Sequence, residues 1–327
     1  MSRRRLRVLT WHVHGNYLWY LSQVPHEFFI LTGSASAHDA DLRPGLAGSL
    51  PWGANCHEVA AAAVRDQAFD LVLYQSQRAW AEDRPALLSP AQRALPQIVL
   101  EHDPPRAHPT DTRHWSLAVT GEEQQPDMLV HVTPFNALMW DNGGVPVRVI
   151  EHGVVVPDHV RWSGTHARGI VVVNHLARRG RRLGADLFRA AAAEVPLDLV
   201  GMGATECGGL GEIPNLELPA FMARYRWFFH PVRYTSLGLA LIEAMHLGMP
   251  VVALATTEVA RVIDSGRNGY ADTRPEALVE TMQRLRTDTG LAARWGEAAR
   301  AMARERFAIG RFIADWNDLF GALARTA

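Results

Sequence analysis

Lysine is absent from this chain: all 33 basic side chains are arginine. That gap excludes Schiff-base and pyridoxal-phosphate chemistry and the P-loop, each of which needs an amine at a fixed place. Cysteine is scarce. Cys56 and Cys207 give no disulfide framework and suit a reducing cytoplasm. No stretch approaches the roughly 18 apolar residues of a membrane span, and the basic start Met1–Arg7 has no signal-peptide apolar core behind it. Net charge is also missing: at −1 it argues against a general nucleic-acid binder, whose affinity depends on positive charge. The cluster Arg3, Arg4, Arg5 and Arg7 reads either as a contact to anionic lipid at the inner face of a membrane or as a solvated leading edge. There is no internal repeat and no low-complexity tract.

What is present suits a two-domain enzyme. The 327 residues, 48% hydrophobic and 20% charged, are enough to bury two cores. The first half alternates strands and helices. Strands are expected at Leu6–His14, His26–Thr32, Asp70–Tyr74, Gln97–Leu100, Met128–Val132 and Val147–Ile150, and helices at Tyr17–Leu21, Cys56–Gln67 and Pro134–Trp140. No Gly-x-Gly-x-x-Gly follows the first strand, which disfavours nicotinamide binding. Ligands of open parallel sheets collect beyond the carboxyl ends of the strands. His12, His14, Gly15, Gln75, Ser76, Glu101, His102 and Asp103 all fall at such ends. His102 is either a ligand contact or the cap of the Pro104-Pro105 turn. His12 and His14 alternate on one strand face, so they could form a metal pair, but no cysteine or carboxylate accompanies them at metal spacing. Trp11, Trp19 and Tyr20 suit either an acceptor surface or the core.

The most informative stretch runs from His230 to Val252, HPVRYTSLGLALIEAMHLGMPVV. The apolar run Trp227-Phe228-Phe229 reads as a buried strand, Pro231 to Ser236 as a loop, and Gly238 as the start of a helix that Gly248 ends. A small-residue loop feeding a helix N-terminus offers free amides and a positive dipole end, which together bind anions. Glu243 stands about a turn and a half further in, a lone carboxylate among apolar neighbours. Buried, it needs donors, and two ribose hydroxyls would serve. A second basic turn follows the strand Gly169–Asn174: His175, Arg178, Arg179, Arg181 and Arg182 precede Gly184 and the helix from Ala185.

These residues resemble the donor-site signature of retaining GT-B glycosyltransferases of the family-4 type: Glu-Gly-Phe-Gly-Leu, then Glu-Ala-Met and Gly-x-Pro-Val-Val. Gly238-Leu239, Glu243-Ala244-Met245 and Gly248-Met249-Pro250-Val251-Val252 match, while Thr235 replaces the first glutamate and Ser236-Leu237 the Gly-Phe. The resemblance implies an α/β GT-B chain of two doubly wound Rossmann-like domains facing an interdomain cleft. It divides the chain into 1–155 for the acceptor, 156–305 for the nucleotide sugar, and 306–327 as a helix returning to the first domain. It further implies a hexosyltransferase-like enzyme (EC 2.4) moving a sugar from a nucleoside diphosphate, with retention, to a glycan, lipid-linked or small-molecule acceptor. No cofactor, metal or nucleic acid is expected. Gly15, Thr235, Ser236, Gly238, Leu239 and Glu243 are the expected donor contacts, and His102 the group nearest the reacting centre. Arg179 and Arg182 stand in for an Arg and Lys pair, with Leu183 where the lysine would fall and Arg178, Arg181 and His175 as rivals. Glu258 is a weaker candidate. A nucleotide-sugar epimerase, a non-catalytic partner subunit and an inverting transferase based on His102 or Asp103 are the alternative readings.

Overall fold

A computed structural model describes residues 4–33, 46, 50–106, 110–118 and 125–325. The chain divides into two compact units: Met1–Gly153 with Ile309–Ala327, and Val154–Ala308. Each is built on a parallel sheet.

The first unit holds β1 (Arg7–Thr10), β2 (Glu27–Thr32), β3 (Cys56–Ala60), β4 (Leu71–Tyr74), β5 (Gln97–Glu101), β6 (Met128–His131) and β7 (Val147–Val149). Their order is β3-β2-β1-β4-β5-β6-β7, all parallel. A parallel sheet is covered on both faces, so its strands are continuous apolar runs rather than alternating ones. Leu71 to Tyr74 shows this, with every residue buried. The chain leaves β1 toward β2 and β3, then returns to lay β4 on the other side of β1. In open parallel sheets such a reversal is where loops diverge and ligands collect at the carboxyl ends.

The expected helix at Cys56–Gln67 does not form. Cys56–Ala60 instead pairs with β2, Phe28 opposite Cys56 through Thr32 opposite Ala60, and only a 3-10 turn, Ala61–Asp66, follows. The alanines favour a helix locally, but a full ladder of pairing along β2 outweighs that preference of roughly a few tenths of a kcal/mol per residue. The first strand is also shorter than Leu6–His14, ending at Thr10. Residues 79–93, unassigned from the sequence, form a π turn and two short helices, the second with a Ser89–Gln92 capping box.

The helix Ile309–Leu323 belongs to this unit. Phe312, Trp316, Leu319 and Phe320, spaced for one face, are all buried. Phe312 meets Tyr17 at 5.6 Å between ring centroids, and Phe320 meets His26 at 5.7 Å. Arg311 Nη2 donates to the carbonyl of Glu151 at 2.8 Å.

The second unit holds β8 (His166–Val172), β9 (Leu197–Val200), β10 (Tyr225–His230), β11 (Val251–Leu254) and β12 (Gly269–Asp272), in the order β12-β11-β10-β8-β9 and all parallel. Its reversal lies between β8 and β10. Gly169 of β8 has no space for a side chain: a Cβ there would stand 2.2 Å from Trp227 Nε1. The core gathers Val171, Leu183, Phe188, Trp227, Phe229, Val252 and Trp295. Among the described residues no helix is long and apolar enough to cross a membrane.

Phe320→Ala is expected to destabilise the first unit by about 3–5 kcal/mol, the range for deleting a fully buried ring. Urea unfolding followed by circular dichroism measures it.

Candidate functional site

The reversal in the second unit brings two loops together. Gly184, between the arginine loop and the helix Ala185–Glu194, has φ +85, and a Cβ on it would stand 2.1 Å from the carbonyl oxygen of Pro231. Only glycine tolerates both the left-handed backbone and that approach. The carbonyl of Arg182 then accepts the amides of Arg233 at 3.0 Å and Tyr234 at 3.2 Å. The segment after β8 is thereby stitched to the segment after β10. Arg233 reaches Asp186 with both guanidinium nitrogens, at 2.6 and 2.9 Å, and Arg181 reaches the same carboxylate at 2.6 Å. Arg233 is the main reason the Asp186 carboxyl is held below the usual carboxylate range, with Arg181 adding to it.

From this seam the helix Leu239–Leu247 rises. Its N-cap Gly238 has extended backbone (φ −69, ψ 131) and gives the first-turn amides no side-chain cap. Gly248 closes the helix at φ +89. Leu239 and Glu243, four residues apart, share a face. Glu243 is 5% exposed, Ser236 is buried, and Thr235 is half-buried. Thr256 Oγ1 donates to the carbonyl of Val232 at 2.9 Å, holding the same loop from the β11 side. Among the described residues two non-glycine positions adopt left-handed backbone, His175 after β8 (φ 53) and Thr257 after β11 (φ 50). Both follow strand carboxyl ends, where such strain accompanies ligand sites. Arg179 and Arg182 are half-buried, whereas Arg178 and Arg181 are exposed. Leu183, at the position the resemblance gives to lysine, is 4% exposed and packs in the core. Glu258 is fully buried and bonded to Arg306 at 3.0 Å and Arg261 at 3.2 Å, a structural ion pair.

The first unit carries its own cluster at the β1–β4 reversal. Gln75 donates from its amide to Thr10 Oγ1 at 3.0 Å and to the carbonyl of Trp11 at 2.9 Å. Its Oε1 therefore accepts from His102 Nε2 at 3.2 Å, which leaves Nδ1 as the lone-pair nitrogen of that ring. His14 lies 4.4 Å and Tyr17 4.7 Å from His102 between ring centroids. Burial, reinforced by His14 and His152, pushes the His102 pKa well below its usual value. Gly15 opens the helix Gly15–Leu21, where a Cβ would stand 3.2 Å from His12 Nε2. Glu101 accepts from the amide of Asp103 at 2.8 Å and from Trp115 Nε1 at 2.6 Å, and Asp103 is paired with Arg106 at 2.6 Å. Trp11 and Tyr20 belong to the core, Trp11 stacked on Tyr74 at 5.0 Å and donating to Asp83 at 2.8 Å. Among the described residues no three histidine, cysteine or acidic side chains gather as a metal site. Arg4 and Arg5 pair with Asp70 and Glu27, at 2.6 and 2.9 Å, while Arg3 lies outside the described residues.

Two features lie outside the expectations drawn from the sequence. The Arg233–Asp186 pair joins residues 47 positions apart, and nothing local announces it. His230 ends β10 just as His102 follows β5, so the strand-end criterion applied to the first half would have singled it out.

Residues 204–302 match the family model Glycosyl transferases group 1. The two parallel Rossmann-like sheets have the architecture of GT-B structures. O-antigen chain mannosyltransferase B of Escherichia coli is 32% identical over 93 residues, 28% of this chain and 23% of that protein, so the match spans less than a quarter of the relative's length. Sucrose-phosphate synthase from Thermosynechococcus elongatus superposes with a TM-score of 0.70 at 15% identity, over 99% of this chain and 100% of that one. Anabaena HepE, solved with UDP and glucose, gives a TM-score of 0.69 at 15% identity, covering 97% and 100%. The fold is shared with both.

His131 and His230 are held down to about 4 by burial, from 6.5. His26, His102 and His246 are lowered in the same way. The unfolded rings take up protons below 6.5 while these folded ones stay neutral, so the unfolded state binds more protons. Stability is therefore expected to fall as pH drops from about 6.5 to about 4, visible as a declining urea midpoint.

Proposed function

We propose that this chain transfers a sugar from a nucleoside-diphosphate sugar to a hydroxyl acceptor with retention of anomeric configuration. The observation that carries this reading is the uncapped entrance of the Leu239–Leu247 helix, with buried Glu243 about a turn and a half beyond Gly238 and the arginine loop stitched alongside. The amides of Gly238 and Leu239 receive the diphosphate, and Arg179 and Arg182 add charge. Glu243 accepts from the ribose hydroxyls. Thr235 faces the sugar with a hydroxyl where family-4 enzymes offer a carboxylate, and Ser236 adds another where they have glycine, so the donor need not be the hexose those enzymes prefer.

In the reaction the bond from the anomeric carbon to the leaving phosphate oxygen breaks, and the acceptor oxygen bonds that carbon on the same face. The acceptor proton passes to the leaving phosphate. Charge grows on the diphosphate, so donors already in place lower the barrier. We assign that neutralisation to amides and guanidinium groups without a metal, and transfer is expected to survive a chelator. An inverting route needs a base with a pKa near the working pH. His102 is held well below 6.5 and Asp103 is engaged with Arg106, which suits neither to that task. His102 Nδ1 instead serves as a hydroxyl acceptor. Two free cysteines favour a reducing compartment.

Mass spectrometry of mixtures of nucleotide sugars and candidate acceptors tests the assignment. Glycosylated product of unchanged anomeric configuration is expected, whereas free epimerised nucleotide sugar without acceptor would overturn it. Glu243→Ala is expected to weaken nucleotide binding roughly ten- to a hundredfold, the worth of hydrogen bonds to a charged group, with little change in unfolding. Calorimetry giving equal nucleotide affinity would remove Glu243 from the site.

A further inference from the structure

Every residue of β10 is buried, and its positions just before His230 are Trp227, Phe228 and Phe229. An apolar side chain at position 230 would continue that packing. An imidazole stands there instead, 4% exposed, and its Nε2 has no hydrogen-bond partner. A buried polar atom left unpaired costs about 1–3 kcal/mol, so its presence calls for a reason. The ring stacks on Phe228 at 6.3 Å between centroids. Its other marked neighbour is Gly238: a Cβ added to that glycine would stand 3.3 Å from His230 Cε1. The orphaned imidazole therefore lies directly against the N-cap of the Leu239–Leu247 helix, a helix end with no side-chain cap.

We propose that His230 is a contact of the bound diphosphate, its ring N–H donating to a phosphate oxygen that also rests on the amides of Gly238 and Leu239. The inference rests on the donor-site reading above and adds to it a residue at the floor of that site. Two features point in this direction, the unpaired buried nitrogen and the uncapped helix entrance beside it. The neighbouring strand positions are apolar: Ala253 of β11 is opposite His230 in register, and Ile170 of β8 is opposite Phe228. Burial alone lowers the pKa of the ring, to about 4, so it meets the ligand neutral with one N–H to give. A phosphate oxygen only accepts, so it selects the tautomer whose N–H faces it. Gly238 has no side chain to separate the ring from the incoming group.

The full-length protein is titrated by calorimetry with UDP-glucose and GDP-mannose, and with uridine and guanosine as controls lacking phosphate. His230→Phe keeps a ring of similar size and removes both nitrogens. Binding of the sugar nucleotide is expected to weaken roughly ten- to a hundredfold, as for loss of a hydrogen bond to a charged group, while the nucleoside binds as before. The melting temperature should hold or rise, because the unpaired nitrogen is gone. His230→Gln, which retains a donor, is expected to recover part of the affinity. Unchanged sugar-nucleotide affinity in a folded His230→Phe protein would reduce His230 to a packing residue. Should that variant fail to fold, nitrogen NMR of the unaltered protein, assigned with the glutamine variant, gives the answer. The sugar nucleotide is expected to shift the His230 ring nitrogens, and unmoved resonances at saturation would overturn the contact. Failure of the unaltered protein to bind either sugar nucleotide would instead remove the donor-site reading, and this inference with it.

Discussion

The close approach of Gly184 to the carbonyl of Pro231 is the constraint on which the second unit's site depends. At φ +85 and with no room for a Cβ, this glycine lets the segment after β8 lie directly on the segment after β10. Those two segments are far apart in the chain and meet only because the strand order reverses between their strands. Once they touch, the Arg182 carbonyl can take two amides from the neighbouring loop, and Arg233 can close on Asp186. The loop ahead of the Leu239–Leu247 helix is thus held from one side by the arginine turn and from the other by Thr256. Its amides carry no side-chain cap from the N-cap residue. For the donor site proposed above, a loop held in this way would avoid being ordered at the moment of binding.

The chain's dependence on arginine has a structural consequence. An arginine can serve two partners at once through its planar fork, and several here do. Arg233 bridges Asp186 and the carbonyl of Arg181, while Arg306 holds buried Glu258 and the carbonyl of Arg261. Positive charge in the second unit is accordingly tied into the fold at Arg233, Arg306 and Arg181, the last within the turn at Arg178–Arg182. Histidine plays the opposite part. The rings at the strand ends are kept neutral by burial, so they act as fixed donors or acceptors rather than as charges. In His102 the tautomer follows from Gln75, whose amide is already occupied by Thr10 and Trp11.

Much of this was legible in the residues. The buried strands announce themselves as apolar runs, and the helix from Gly238 to Gly248 is marked at both ends by glycine. Glu243 stands out in the sequence as a single carboxylate among apolar neighbours, and it is buried as expected. The reading failed where local preference and tertiary pairing disagree. Cys56–Ala60 precedes an alanine-rich tract and looks helical, yet it fills a strand place beside β2. Leu183 could be aligned with a phosphate-binding lysine, but its side chain belongs to the core. Trp11 sits beside candidate site residues in the chain, and its ring is turned away onto Tyr74 and Asp83.

By itself, then, the amino-acid sequence determined the alternation of apolar strands and helices, the glycine-bounded helix from Gly238 to Gly248 and, with no lysine, the arginine identity of every long basic side chain. The first two are written in local patterning over a few turns of chain and the third in composition. The tertiary structure alone decided which arginines are committed to Asp186 and Glu258, which way the His102 proton points, and that His230 lies against Gly238. Most of those contacts join segments dozens of residues apart, and they exist only after strand order and register have set which loops become neighbours.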